Sequence, residues 1–194
     1  MKRSLLVLFL AVVMAVPTFA MEIIPKVGYL FSPQLSYKNE SISKDSSFSA
    51  GADFMFQMGK TGLYIGPGFT WNHEHKIIDF SNSKFCSTNI FATTKYKFKA
   101  GGDVNLYPFL QVGLGVCNID SFKIIDLTRE FWSCGIYYGL GFGAEYKNII
   151  FELLYSWNKG EFTDKNFGQN YFFSVTKNFT YSAFRIQVGY KFSL

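Results

Sequence analysis

Cysteine is scarce in this chain, charge is sparse, and after the first sixteen residues no apolar run is long. Each shortage removes a class of answer. The three cysteines, Cys86, Cys117 and Cys134, are too few and odd in number for a disulfide scaffold, and the sequence does not say whether any two of them pair. No stretch beyond Val16 stays apolar for the roughly 18 residues that a helical span needs, which argues against helical membrane crossings. Charged residues are 17% of the chain and the formal net charge is +5, of which Lys2 and Arg3 contribute two. The excess that remains is too small to argue for nucleic acid.

Motifs with chemistry in them are equally thin. Gly59-Lys60-Thr61 looks like the end of a phosphate-binding loop, but Phe54 stands where its first glycine belongs, and turn chemistry explains the triplet instead. Gly139, Gly141 and Gly143 keep strand spacing with no helix after them, unlike a dinucleotide fingerprint. His73 and His75, two apart, would share one face of a strand, yet no third ligand is visible, so neither metal nor other cofactor is expected. No nucleophile and base are spaced for catalysis, and the chain reads as a non-enzyme.

What is present begins with a basic start at Lys2 and Arg3, an apolar run from Leu5 to Val16, and Pro17-Thr18-Phe19-Ala20. That is the grammar of a cleaved secretory signal peptide over residues 1–20, with a single domain over 21–194. Aromatic residues, at 20%, outnumber charged ones. Period-two alternation is clearest from Phe131 to Tyr146, where Ile136, Tyr138, Leu140, Phe142 and Ala144 oppose Gly135, Tyr137, Gly139, Gly141, Gly143 and Glu145. One face is apolar and bulky; the other is mostly glycine, which in a strand marks crowding.

Seven further segments alternate, the one from Phe85 least regularly. They begin at Lys26, Phe48, Leu63, Phe85, about Leu110 and Ile149, and the last one closes the chain with Phe184, Ile186, Val188, Tyr190, Phe192 and Leu194 on one face. Pro67 predicts a bulge in the third. Lys38–Ser46, Lys76–Lys84, Asn118–Glu130 and Asn158–Asn178 are polar and read as long loops, the last the longest. Between them lie short turns at Gly59–Gly62, Ala100–Asp103 and Lys147-Asn148. Connections that alternate long and short predict an all-β, closed antiparallel eight-stranded up-and-down transmembrane barrel with short periplasmic turns and longer extracellular loops. A soluble lipocalin-type barrel would turn the Gly, Ser and Gln face to water, and that face is too poor in charge for a solvated surface.

The phrases LYPFLQVGLGV at Leu106–Val116, YYGLGFGAEY at Tyr137–Tyr146 and FRIQVGYKF at Phe184–Phe192, with the signal peptide and the loop alternation, make the chain resemble the small eight-stranded outer-membrane barrels of the OmpA and OmpX type. The resemblance implies residence in a bacterial outer membrane and contact with its lipid and lipopolysaccharide. It also implies delivery to the barrel-insertion machinery through the C-terminal strand, where Phe192 and Leu194 stand in for the family's terminal aromatic residue. Outer-membrane lipid A deacylases carry His and Ser two apart near the rim. Here Trp71 and Ile77 occupy the positions two before His73 and two after His75.

Lys26, Asp53, Lys95, Lys97, Glu145, Glu152, Arg185 and Lys191 fall on the expected inner face. Charges in so narrow a lumen must pair or be hydrated, so they predict a structural ion-pair network, with Arg185 reaching Glu145 or Glu152. An eight-stranded interior is filled by side chains, which disfavours a water-filled pore. The expected function is therefore display of loops to a host or cell-surface ligand, in a structural or adhesive role. Lys159, Glu161, Asp164, Lys165, Phe167, Tyr171 and Phe172 in the last loop are its candidate contacts. A conduit for small apolar molecules and an enzyme acting on outer-leaflet lipids are the alternatives.

Overall fold

The computed structural model describes residues 21–37, 40–43, 45–76, 84–120, 131–168 and 171–194. The expected signal peptide, residues 1–20, lies outside them, as do residues 77–83 and 121–130 of two expected loops. Eight long strands follow the alternation of the sequence. They are β1 (Met21–Tyr37), β2 (Ser47–Gln57), β3 (Leu63–Lys76), β4 (Lys84–Tyr96), β5 (Val104–Asp120), β6 (Phe131–Tyr146), β7 (Ile149–Gly168) and β8 (Tyr171–Tyr190). Short pieces Phe98–Gly101 and Phe192–Ser193 prolong β4 and β8, and Glu40–Ser43 folds back on β1.

Every strand pairs antiparallel with the next, and β8 returns to β1 with Tyr29 opposite Ile186 and Lys26 opposite Gly189. The sheet is thus closed, and its backbone polar groups are satisfied within the wall rather than by solvent. Among the described residues no helix is long and apolar enough to cross a membrane; the crossing elements are strands. Met21 and Leu194 meet at one end, where the Leu194 N–H donates to the Met21 carbonyl at 2.9 Å. The three tight turns lie at that same end.

Which side chains face out follows from parity. Val27 is 64% exposed, Phe48 68% and Ile90 64%, and Leu114, Ile136, Leu140 and Phe151 share their face of the wall. Lys26, Asp53, Lys95, Gln111, Glu152 and Arg185 are buried inside. An apolar exterior around a polar interior is the reverse of a soluble protein, and it is stable where the surroundings are hydrocarbon.

Two expectations about the elements need correction. Pro67 makes no bulge: Asp53 opposite Gly68 and Phe56 opposite Ile65 keep one register on either side of it. The missing N–H deprives the ladder of one donor without adding a residue to the strand. Register shifts occur instead between Phe31 and Gln34 and between Asn72 and His75. The segment Asn158–Asn178 is not a long loop either, because β7 runs to Gly168 and β8 starts at Tyr171, paired residue for residue from Gly168 opposite Tyr171 downward. Phe162, Thr163, Phe167, Tyr171, Phe172, Val175 and Thr176 favour extended backbone, and a two-stranded ribbon beyond the wall does not need the strict apolar face that marks the other strands.

Candidate functional site in the barrel lumen

The lumen is packed in layers, and its turn-side half is an ion-pair ladder. Lys26 on β1 donates to Asp53 Oδ2 at 2.5 Å and to Glu152 Oε2 at 2.7 Å, and Tyr107 donates its hydroxyl to Glu152 Oε1 at 2.9 Å. Nearer the turns, Lys95 reaches Glu22 at 3.2 Å, Lys97 bridges Glu22 at 2.7 Å and Glu145 at 2.6 Å, and Lys191 closes on Glu145. Four lysines thus meet four carboxylates. The ladder is neutral as a whole, as buried charges must be to avoid a large desolvation cost. At the mouth it opens into a recess of about 300 Å³ that Gln57, Lys60, Tyr64, Lys99 and Asn105 help to line.

Apolar side chains thread the same half. Ile24, Met55, Tyr107, Phe109, Ile150 and Leu154 are all buried together inside the wall. Glycine on the neighbouring strand makes room for the large ones. Tyr107 stands opposite Gly143 and Phe109 opposite Gly141, and a Cβ at either glycine would run into the ring of its partner. Phe91 lies between Gly68 on one side and Gly113 on the other, with its ring 5.3 Å from that of Tyr137. Gly141 and Gly143 of β6 are therefore spacers for rings donated by β5, while a Cβ at Gly135 would meet the β7 backbone and one at Gly139 the Leu154 side chain.

In the middle of the barrel the contacts become neutral. Tyr137 donates to Gln111 Oε1 at 2.8 Å, and Asn72 donates to Ser87 Oγ at 2.7 Å. Arg185, 1% exposed, donates from Nη2 to Asn72 Oδ1 at 2.9 Å. The expected pairing of Arg185 with Glu145 or Glu152 does not form. Glu152 stands opposite Gln187, one inward position along from Arg185, where Lys26 and Tyr107 hold it, and Glu145 is held nearer the turns by Lys97 and Lys191. Above this level Leu30, Cys117, Phe179, Tyr181 and Ala183 form a second apolar cluster.

Of the inner-face residues read from the sequence, Lys26, Asp53, Lys95, Lys97, Glu145, Glu152 and Lys191 come together, and Arg185 stands apart from them. Glu22 and Tyr107 are the members that sequence reasoning missed. Glu22 shares the parity of Lys26 and would have joined the set had the first strand been extended through Pro25. Cys86, Cys117 and Cys134 form no disulfide. Among the described residues no three His, Cys, Asp or Glu are placed to hold a metal.

Outside the wall, on the side away from the turns, aromatic side chains gather. Tyr138 stacks on Trp157 at 5.2 Å, Tyr155 meets Trp157 edge-on at 4.5 Å, and Trp71 meets His73 at 5.4 Å. Lys159 places Nζ 5.8 Å from the centre of the Tyr138 ring. Of the candidate contact residues, Lys159 is exposed on this rim; Glu161, Asp164, Lys165 and Phe167 lie along β7, and Tyr171 and Phe172 along β8. The side chains of those six are outside the described set.

No protein-family model matches the sequence, and no curated protein does. Solved structures do resemble it. Neisserial surface protein A is 16% identical with a TM-score of 0.54, over 89% of this chain and 97% of that one. Ail, the attachment invasion locus protein of Yersinia pestis, is 12% identical with a TM-score of 0.55, over 90% and 100%. A major outer membrane protein from Thermus thermophilus is 11% identical with a TM-score of 0.54, over 89% and 100%. At such identities the likeness speaks for the fold, and the fold agrees with the wall geometry above: this chain has the architecture of the small eight-stranded outer-membrane β-barrels.

Proposed function

We propose that the protein resides in a bacterial outer membrane as a non-enzymatic surface protein, and that it acts by presenting the β7–β8 ribbon to a partner outside the cell. The observation that carries this reading is the length of that ribbon. Pairing of β7 with β6 is seen as far as Gly160, whereas pairing with β8 continues to Gly168. Eight more residues per strand at about 3.3 Å each extend roughly 26 Å past that point. A hairpin that contributes nothing to closing the barrel has another use, and a rigid scaffold that holds an extended segment is how binding loops are commonly carried.

Lys159, Glu161, Asp164, Phe167, Tyr171 and Phe172 are the contact residues of this proposal. Lipopolysaccharide would surround the aromatic rim near Tyr138 and Trp157, where rings favour the interface between apolar and polar layers. The closing strand with Phe192 and Leu194 would engage the insertion machinery. A conduit role is opposed by the filled lumen. Replacing residues 162–177 with Asn-Gly, in cells of a Gram-negative laboratory strain that carry the protein, tests the reading. Adherence to cultured epithelial cells should fall at least tenfold, while the barrel still sediments with the outer membrane and still shifts in mobility when heated. Equal adherence with and without the ribbon would overturn it.

A further inference from the structure

Among the described residues the neutral ladder leaves one buried charge over. Each of Glu22, Asp53, Glu145 and Glu152 is engaged by Lys26, Lys95, Lys97 or Lys191, so none remains for Arg185. Its guanidinium is enclosed by the wall and, among the described residues, makes one hydrogen bond, to Asn72 Oδ1. Among the described residues neither Nε nor Nη1 has a hydrogen-bond partner. A guanidinium cannot escape by losing its proton, and an ion buried without a counter-charge is costly.

The surroundings supply a second donor. Gln187, Gly28, Ser49 and Asn72 form one register row across β8, β1, β2 and β3. Arg185 lies one inward position along β8 from Gln187 and reaches across this row to Asn72. Gly28 offers no side chain to block it: a Cβ there would come within 2.8 Å of Ser49 Oγ and 2.9 Å of Gln187 Cγ. Ser49 is 4% exposed, and its Oγ is likewise without a partner among the described residues. Two guanidinium nitrogens and a hydroxyl, all with protons to give, thus lie beside Asn72, the guanidinium through its hydrogen bond and Ser49 as the cross-strand neighbour.

We propose that Arg185 and Ser49 bind a small monovalent inorganic anion of chloride size inside the barrel, and that this anion is the counter-charge the carboxylates do not provide. The site is separate from the ladder and from the ribbon, so it stands whether or not the protein is an adhesin. A dianionic phosphate ester or a bulkier carboxylate is a poorer fit, because the row continues past Gln187 to the Glu152 carboxylate and lies between two apolar clusters.

The test uses the folded protein purified in detergent and unfolded with urea, in sodium chloride or sodium gluconate at matched ionic strength. Chloride should stabilise it, and above the dissociation constant a tenfold rise in chloride should lower the unfolding equilibrium constant about tenfold. Arg185→Met should abolish the dependence, and Lys99→Gln at the mouth should leave it intact. Identical unfolding in the two salts, or a dependence that survives Arg185→Met, would overturn the proposal. Should Arg185→Met fail to fold, Ser49→Ala and bromide take its place. Ser49→Ala should weaken the chloride effect, and crystals grown in bromide should show anomalous scattering within hydrogen-bonding reach of Arg185 Nε or Nη1. An unchanged chloride effect in Ser49→Ala together with no bromide signal there would reject the site.

Discussion

Lys26 is the residue on which the ladder depends most, since one ammonium serves both Asp53 and Glu152 in a place only 6% exposed. Removing it strands two carboxylates in the lumen. Lys26→Met is expected to cost about 3–5 kcal/mol, the range for breaking a buried pair by deleting one partner. Adding Glu152→Gln should recover part of that loss, because it removes one of the stranded charges. Urea unfolding of the purified variants in lipid vesicles measures both, and a loss under about 1 kcal/mol for Lys26→Met would mean that water compensates the carboxylates. That Lys26, Asp53 and Glu152 face inward was legible from period-two parity alone. Their partners were not, because contacts across a lumen depend on strand tilt and stagger, which adjacent sequence does not encode. Arg185 shows the limit: parity put it inside, and its reach to Asn72 came from the register of three other strands.

Elements were easiest to read where a tight turn fixed them. Lys147-Asn148 joins β6 to β7 with Tyr146 opposite Ile149, and Lys147 takes φ 53°, the left-handed region that glycine and asparagine tolerate best. A lysine there carries strain on the order of 1 kcal/mol. Lys147→Asn is therefore expected to stabilise the barrel by about 0.5–1 kcal/mol, and Lys147→Val to destabilise it by at least as much, since a β-branched residue resists positive φ. Shifts of the urea midpoint in opposite directions would bear this out; equal shifts would show that the turn sets no limit on stability. The β7–β8 ribbon was harder. Glu161, Asp164, Lys165 and Lys177 interrupt its alternation, and charge of that kind marks loops in a soluble frame. A two-stranded ribbon that closes no barrel wall is not required to alternate, so the signal that identifies the wall strands is absent from its sequence.

For the whole molecule, the sorting of connections into short and long and the apolar outward face were enough to name the architecture, because closure and lipid exposure each leave a periodic trace. The interior left a weaker one. Ile24, Met55, Phe109, Ile150 and Leu154 are apolar and yet point inward, so the lumen is plugged by rings and aliphatic chains as well as by ions, a mixture that a simple polar-inside rule does not anticipate. This plug decides whether the barrel conducts. The recess of about 300 Å³ at the turn-side mouth ends on the ladder, and above it Tyr107 and Phe109 fill the width opposite Gly143 and Gly141. The protein in a planar bilayer is thus expected to give no discrete conductance steps. Replacing both rings, Tyr107→Ser with Phe109→Ser, leaves two serines facing two glycines and removes the hydroxyl that Tyr107 gives to Glu152, so water can enter beside Lys26. That double variant, if it keeps its heat-dependent mobility shift, should show brief steps whose frequency rises with salt. Steps from the unaltered protein would instead mean that the plug moves, and would favour the conduit over the display of a ribbon.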